Sequence, residues 1–181
     1  IDFSSNDYLG FSKNRKTFDI AHKFLIENKS LQNGATGSRL ISGNHFLYEE
    51  LEPFLSKFHN SESALIFNSG YDANLGFFSS VLHRGDVILF DEYSHASIRD
   101  GIKMSNAKSY KFKHNDLEHL EELLNRITKN VASNAVEKPE INQNVYVVTE
   151  SVFSMDGDSP DLIKMSELVK KHKGYFVIDE A

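Results

Sequence analysis

Acidic side chains at the ends of apolar runs are the residues of this sequence best placed to do chemistry. The clearest case is Tyr175–Ile178, an apolar run followed directly by Asp179. A run that is apolar on both sides predicts a buried strand of a parallel sheet. Asp179 would then lie at the carboxyl end of that strand, where open α/β sheets bind ligands. A carboxylate there needs a cation or hydrogen-bond donors, because burying it unpaired is costly.

Asp179 has three interpretations. It could pair with the protonated ring nitrogen of a cofactor, or it could be the acid of a nucleotide-hydrolysing motor. The motor needs a phosphate-binding loop with a lysine, and the glycine-bearing loop Gly34–Arg39 has no lysine at the required spacing. The third interpretation is a strand-end acid without a function.

The turn Ser69-Gly70-Tyr71 is a candidate phosphate site, because it leads from an apolar run into a predicted helix. The backbone N–H groups and the dipole of a helix N-terminus favour an anion such as phosphate. The alternative is an ordinary turn that uses Gly70 for a positive φ.

Three further polar residues follow predicted strands. His95 lies just inside a predicted helix start, where its flat ring could stack on a planar ligand or move protons, or could only cap the helix or lie at the surface. Glu150 lies at the end of a predicted strand, after Val145–Val148 and Thr149, and Ser154 is four residues further on. Glu150 is a candidate partner for a substrate or a donor, and a solvated strand end is the alternative.

Metal chemistry has no support in the sequence. The histidines show no zinc-type spacing, and cysteine is absent. Asp156-Gly157-Asp158 resembles a fragment of a calcium loop but lacks the remaining ligands and the closing glutamate, so we interpret it as a turn.

Strands that alternate with helices must position these residues. Helical patterns separate five apolar runs, which is typical of a parallel, right-handed α/β sheet. The five runs are Ala64–Phe67, Val87–Phe90, Tyr110–Phe112, Val145–Val148 and Tyr175–Ile178. Because parallel strands end at the same edge, we expect the residues that follow them to share one cleft. Those residues are 69–71, 91–95, His114, 150–154 and Asp179.

Two helices and a loop are predicted from the pattern between the strands. The helices are expected at about 72–82 and 94–105, the second with Ile98 and Ile102 facing inward. The polar residues 130–143 predict an exposed loop.

Capping residues predict where other helices begin. Pro53 lies inside a helical pattern, so we expect a kink or a late start in that helix. The predicted starts are Asn44, the capping-box pair Asn115 and Glu118, and Ser159-Pro160.

Composition indicates a soluble globular protein. The 181 residues suffice for one sizeable domain, and the net charge of −6 without a basic run argues against a nucleic-acid partner. No apolar run approaches the ~18 residues of a membrane span, and there is no signal-peptide pattern. We therefore expect no membrane partner and a cytoplasmic location.

Six segments together resemble the α-oxoamine synthases, enzymes of the aspartate-aminotransferase fold that use pyridoxal 5′-phosphate (PLP). They follow the order and spacing of that family and cover nearly the whole chain. Within the family, the stretch Gly37–Gly43 is most similar to the member of the biotin pathway. The six segments are Ser5–Gly10, Gly37–Gly43, Phe67–Asn74, Asp91–Ser97, Thr149–Gly157 and Val177–Ala181.

The resemblance implies a three-layer α/β fold with a mainly parallel sheet, the large domain of PLP-dependent fold type I, truncated and preceded by an N-terminal arm. Residues 1–44 would form the arm or small-domain segment, and residues 45–181 an incomplete PLP-binding domain. The family's cofactor-binding lysine and small C-terminal domain would lie beyond residue 181. We therefore expect a portion of a longer enzyme, inactive by itself.

The resemblance also assigns roles to the candidate residues. The turn Ser69-Gly70-Tyr71 would hold the PLP phosphate, and Ser154 would donate to the phenolic oxygen of the ring. The two catalytic residues would be His95, stacked on the ring, and Asp179, paired with its nitrogen.

The implied substrates are an amino acid and an acyl-CoA. Asn6 and Glu150 would lie near the amino acid, and Arg39 near the acyl group. The α-carbanion, stabilised by PLP, would attack the thioester, and loss of CoA and then CO2 would give an aminoketone. L-Alanine and pimeloyl-CoA are the expected pair. The alternatives are a sister reaction that makes 2-amino-3-oxobutyrate or a sphingoid base, and an inactive subunit of such an enzyme. The family's members are homodimers, and we expect the same.

Overall fold

The structure is a computed structural model that describes residues 5–137 and 143–180 and, within 129–137, the backbone alone. The chain divides into two compact units between Leu65 and Ile66. The boundary that the sequence predicts, at residue 44, falls inside the first unit and stays a prediction.

The first unit is helical where it is described. Its elements are a 3-10 turn, a short π-helical turn and two helices, and only Gly43 of its described residues is buried. Asn14 caps the first helix, since its side-chain oxygen accepts the N–H of Thr17 at 3.0 Å. The elements are the 3-10 turn Phe11–Lys13, α1 Arg15–Glu27, the π-helical turn Arg39–Gly43 and α2 Phe46–Phe58.

The residue that caps α2 is His45, whose Nδ1 accepts the N–H of Leu47 at 3.2 Å. The prediction that Asn44 caps this helix is therefore wrong. The Asn44 side chain is engaged elsewhere: it accepts from Arg39 Nε at 3.1 Å and donates to Glu49 at 3.0 Å.

Pro53 lies inside α2. Because the helix already begins at Phe46, the predicted late start is wrong. The missing N–H of Pro53 removes one bond to the carbonyl of Glu49, and the helix nevertheless continues to Phe58. A kink, the other alternative, stays a prediction.

The second unit contains a parallel sheet of four strands. The strands are β1 Val87–Asp91, β2 Lys108–Phe112, β3 Val145–Glu150 and β4 Tyr175–Asp179. Their order in the sheet is β2-β1-β3-β4, and all three neighbouring pairs are parallel, which confirms the predicted α/β architecture.

The fifth predicted strand, Ala64–Phe67, is wrong, because these residues form no ladder. An apolar run this short does not establish a strand by its pattern alone, and here Leu65 and Phe67 are 64% and 39% exposed. The ring of Phe67 packs closely against Gly76, which lies in a following helix. A Cβ atom added at Gly76 would be only 2.8 Å from Cε1 of Phe67.

Helices cover both faces of the sheet and make the three layers. They are α3 Gly70–Ser80, α4 Ala96–Met104, α5 Leu117–Glu137 and α6 Leu162–Lys171. The side chains of β1 alternate: Val87 and Leu89 pack with α5 and α6, while Ile88 and Phe90 pack with α3 and α4. Ile98 and Ile102 of α4 are buried, as predicted.

Strand β4 is less buried than its apolar sequence predicts. Within the described residues it pairs with β3 alone, and Tyr175 and Ile178 are 55% and 37% exposed. The strands buried on both faces are β1 and β3, the two inner strands of the sheet. The prediction of a buried β4 is therefore wrong. The reason is that an apolar run does not reveal whether its strand is central or at an edge.

Two predicted helix starts are displaced. Asp116 caps α5 by accepting the N–H of His119 at 2.9 Å. Asn115 lies outside the helix at φ 54°, so the predicted capping box is wrong. Asp161 likewise caps α6, and Pro160 precedes the helix instead of beginning it.

The predicted loop at 130–143 is wrong over 130–137, because α5 continues to Glu137. Polar composition alone does not end a helix, and residues 138–142 lie outside the described residues. Helix α3 begins at Gly70, earlier than the predicted residue 72. In the described parts of the chain, no helix is long and apolar enough to cross a membrane.

Candidate active site

Three carboxylates lie at the ends of three neighbouring strands. Asp91, Glu150 and Asp179 are the last residues of β1, β3 and β4, and Glu150 is the register partner of Asp179. Asp91 and Glu150 are 0% and 6% exposed, and Asp179 is half-buried. Because the strands are parallel, the carboxylates share one edge of the sheet, and each needs donors there.

Glu150 meets the backbone of His95. Its Oε1 accepts the His95 N–H at 2.5 Å. Burial raises the pKa of Glu150, and the negative charges of Asp179 and Asp91 raise it further. The hydrogen bond from His95 lowers it, but the net direction is upward. Glu150 therefore takes up a proton at a higher pH than an exposed glutamate.

A chain of hydrogen bonds connects Asp179 to the ring of His95. Asn74 on α3 donates from Nδ2 to Asp179 Oδ2 at 2.8 Å and to Ser97 Oγ at 2.9 Å. Ser97 Oγ lies 2.7 Å from His95 Nδ1, and Ser97 is buried. The acid at the strand end and the histidine at the helix start thus belong to one network.

The donors of this network assign a tautomer to His95. Its Nδ1 accepts the backbone N–H of Ser97 at 3.2 Å, as the N-cap of α4. Because Ser97 Oγ accepts from Asn74, its own hydroxyl is free to donate to the same Nδ1. The ring proton then lies on Nε2. His95 is exposed, so capping and contact with a ligand are compatible roles.

The turn Ser69-Gly70-Tyr71 forms the N-terminus of α3. Ser69 is the N-cap, and its Oγ accepts the N–H of Asp72 at 3.0 Å. The N–H groups of Gly70 and Tyr71 open the helix, where no intrahelical acceptor exists for them. A Cβ at Gly70 would meet nothing within 4 Å, so this terminus is open. Tyr71 Oη donates to Asp100 at 2.6 Å, and that bond raises the pKa of Tyr71.

Ser154 is exposed in the loop that follows β3. The loop is tied to β4 by the N–H of Ser151, which donates to the carbonyl of Asp179 at 2.8 Å. Its neighbour Phe153 is 2% exposed. Gly157 has φ 74°, which confirms the turn predicted at Asp156-Gly157-Asp158.

The two remaining predicted site residues, Asn6 and Arg39, lie in the first unit. Arg39 makes a bidentate pair with Glu52, at 2.6 and 2.9 Å, and its guanidinium lies 4.0 Å from the ring centre of Tyr48. The carbonyl of Asn6 accepts the N–H of Tyr8 at 2.9 Å. Their substrate roles stay predictions.

Sequence reasoning missed the roles of Asn74 and Ser97. Asn74 lies one helical turn after Gly70, on the same face of α3, and that spacing was the available signal. It also missed the partners of His114, which contacts Asp91 and Asp158. In the described part of the chain, no group of three or more potential ligands could hold a metal ion.

Comparison with known proteins identifies relatives over the whole chain. Residues 1–181 match the family "Aminotransferase class I and II". A protein of Methanococcus vannielii named putative 8-amino-7-oxononanoate synthase is 41% identical, over 100% of this chain and 45% of its own length.

Two solved structures are similar in sequence and fold. Serine palmitoyltransferase from S. paucimobilis, a variant solved with bound PLP and myriocin, is 32% identical with a TM-score of 0.81, covering 96% of this chain and 41% of that chain. 8-Amino-7-oxononanoate synthase from Francisella tularensis is 28% identical with a TM-score of 0.71, covering 100% of this chain and 45% of that chain. The chain spans less than half the length of these relatives.

A three-layer parallel α/β fold with this likeness defines the fold-type I class of PLP-dependent proteins. Within that class, the chain belongs to the aminotransferase class I and II family. The likeness to α-oxoamine synthases that the sequence predicts is confirmed, and PLP is the cofactor of the family and of its structural neighbours.

The donor set at the sheet edge fits PLP. A phosphate needs N–H groups, and the open N-terminus of α3 supplies them at Gly70. A protonated pyridine needs an acceptor, and Asp179 is the half-buried carboxylate on the same network. A flat ring needs a surface, and the exposed imidazole of His95 is available.

Proposed function

We propose that the protein containing this chain condenses an amino acid with an acyl-CoA, releasing CoA and CO2 to give an aminoketone. The observation that carries the proposal is the single network that joins Asp179, Asn74 and His95 beside the N-terminus of α3. Family membership and the α-oxoamine synthase names of the relatives support it.

Asp179 is proposed to pair with the ring nitrogen. PLP, when bound, supplies an electron sink for the α-carbon of the amino acid. The sink needs a charged ring, and a nearby carboxylate favours the charged form. Asn74 donates to Asp179 Oδ2 at 2.8 Å and so holds the carboxylate in place.

The other cofactor roles follow from position. The turn Ser69-Gly70-Tyr71 is proposed to bind the phosphate through backbone N–H groups at the start of α3. His95 would lie against the ring, oriented by the two bonds that reach its Nδ1. Ser154, in its exposed turn, would donate to the phenolic oxygen.

Three residues are proposed to face the substrates. Glu150 would lie near the amino acid, and its pKa, raised mainly by burial, means that it takes up a proton at a higher pH than an exposed glutamate. Asn6 would also lie near the amino acid. Arg39 would lie in the loop near the acyl group, where its guanidinium is held by the ion pair with Glu52.

L-Alanine and pimeloyl-CoA, the substrates that lead towards biotin, are the first choice. The sequence relatives at about 40% identity carry the corresponding name. Serine with palmitoyl-CoA is the second candidate, because the serine palmitoyltransferase structures have the higher TM-score, 0.81 against 0.71. From the likeness to both groups of α-oxoamine synthases, we also propose that the protein is a cytoplasmic homodimer.

The test is to express the full-length protein, look for the yellow absorbance of bound PLP, and assay CoA release. Alanine, glycine and serine are each paired with pimeloyl-, acetyl- and palmitoyl-CoA. The fastest release is expected with alanine and pimeloyl-CoA. Fastest release with serine and palmitoyl-CoA would favour the second candidate. No release with any pair would contradict the proposed function and favour an inactive subunit.

A further inference from the structure

His114 follows β2 and lies between two carboxylates from other parts of the chain. Its Nδ1 is 2.9 Å from Asp91 Oδ1, and its Nε2 is 2.9 Å from Asp158 Oδ2. Asp91 ends β1, whereas Asp158 belongs to the loop after β3. The imidazole therefore bridges a strand of the sheet and the loop that carries Ser154.

Two aromatic rings pack against the His114 imidazole. Tyr93 stacks on it with ring centroids 4.4 Å apart, and the Phe153 ring is nearly perpendicular to it at 4.5 Å. The side chain is 16% exposed. Because both nitrogens are hydrogen-bonded within the protein and most of the ring is covered, we expect His114 to act through its neighbours and not by contact with a ligand.

The bridge works best with a doubly protonated ring. An ionised carboxylate only accepts hydrogen bonds, so each nitrogen must donate. Burial by itself lowers the pKa of His114, but the hydrogen bonds and charges of Asp91 and Asp158 outweigh it, so the pKa is raised. A third acid, Glu92, contacts the backbone of His114 and not its ring: Glu92 Oε1 accepts the His114 N–H at 3.0 Å.

Asn115 reinforces the same bridge. Its backbone N–H donates to Asp91 Oδ2 at 3.0 Å, and its Nδ2 donates to Asp158 Oδ2 at 2.7 Å. Within the loop, the N–H of Phe153 donates to the carbonyl of Asp158 at 2.9 Å. Asp158 thus joins the sheet edge to the residue that directly precedes Ser154.

We propose that His114 is a positioning residue, which together with Asp91 and Asp158 fixes the loop that presents Ser154 to the cofactor. The inference rests on the proposed function, because Ser154 acts there as a donor to the phenolic oxygen of PLP. We call the three residues Asp91, His114 and Asp158 the His114 clamp.

The test is a double-mutant cycle on PLP affinity in the full-length protein. Equilibrium dialysis measures the Kd for PLP in the wild type, Ser154→Ala, Asp158→Ala and the double variant. Each single change is expected to raise the Kd roughly tenfold, the loss of one hydrogen bond to a charged group. If the clamp acts through Ser154, the double variant binds no more weakly than Ser154→Ala, because coupled changes do not add.

A matched control lies in the same turn. Asp156 is exposed and outside the clamp, so Asp156→Ala is expected to keep the wild-type Kd. If Asp158→Ala does not fold, as judged by circular dichroism, His114→Gln replaces it in the cycle with the same expected result, since glutamine cannot reach both carboxylates.

Three outcomes would overturn the inference, and the last is distinguishable from the first two. Losses that multiply to roughly a hundredfold in the double variant, or an Asp158→Ala protein with the wild-type Kd, would show that the clamp does not act through Ser154. A wild-type full-length protein that binds no PLP would overturn the proposed function, and the inference with it.

Discussion

Two histidine–aspartate networks lie at the same sheet edge and use the same residue types in different ways. In the first, neutral donors run from Asn74 to Asp179 and, through Ser97, to an exposed His95 ring. In the second, the His114 clamp, an imidazole whose pKa is raised is held directly between two carboxylates and packs against two aromatic rings.

The two networks differ in how much of each imidazole is available to a ligand. His95 uses only Nδ1 within the network, so its ring faces and Nε2 are left for a partner. His114 uses both nitrogens and packs against two aromatic rings, which suits it to hold a loop. Residue type alone does not separate a ligand-contacting histidine from a positioning one.

The largest expected effect is on the first network, at the acid itself. Asp179→Asn removes the charge that favours a protonated ring nitrogen. A charge-assisted hydrogen bond contributes about 1.5–3 kcal/mol, which is about one to two powers of ten in rate. We expect at least that loss in the rate of CoA release by the full-length protein. A rate close to that of the wild type would contradict the assignment.

The charge in the His114 clamp predicts a pH-dependent stability. Because the folded-state pKa of His114 is raised, its contribution is fully present below the unfolded value of about 6.5 and is lost as the pH rises through the folded value. His114→Gln should therefore lower the free energy of unfolding by about 1.5–3 kcal/mol at low pH and by less at high pH.

Urea unfolding of the full-length protein across that pH range measures this difference. His22→Gln, which removes an exposed histidine of α1, is the matched control and should leave the free energy unchanged. A destabilisation by His114→Gln that stays constant with pH would argue against a charged clamp.

Asn74 tests the neutral network without changing its charge. Asn74→Ala removes the donor to Asp179 and to Ser97 Oγ at once. We expect CoA release to slow about tenfold, in line with about 1.4 kcal/mol for a lost hydrogen bond to a charged group. Unchanged kinetics, with the fold intact by circular dichroism, would remove Asn74 from the network's function.

The smallest effect is expected from Ser97→Ala. The hydroxyl bond to His95 Nδ1 is lost, but the backbone N–H of residue 97 still reaches the same nitrogen at 3.2 Å. A neutral hydrogen bond contributes about 0.5–1.5 kcal/mol, so kcat/KM should fall roughly two- to tenfold. A loss as large as that of Asp179→Asn would mean that Ser97 does more than orient the ring.

Local pattern was enough to predict the sheet and the position of the acids. The runs in β1 and β3 are apolar because both strands are buried, and the rule that parallel strands end at one edge brings Glu150 and Asp179 together. The same pattern failed for Ala64–Phe67, which forms no ladder: the Phe67 ring packs against Gly76 of α3, and Leu65 is exposed.

The local sequence pattern could not predict which polar side chains contact each other. Asn74 and Asp179 are 105 residues apart in the sequence, and His114 and Asp158 are 44 apart. Such contacts depend on how helices and loops are arranged around the sheet, which spacing along the chain does not encode. The turn at the start of α3, by contrast, needs only neighbouring residues, and Ser69 caps the helix from within the predicted motif.

The central claim is that Asp179 keeps the ring nitrogen of PLP protonated. The most direct measurement is nuclear magnetic resonance of the full-length protein loaded with PLP that is isotope-labelled at the ring nitrogen. The expected result is a pyridinium shift in the wild type that becomes a neutral pyridine shift in Asp179→Asn. The same shift in both proteins would contradict the claim, whatever the rates of CoA release.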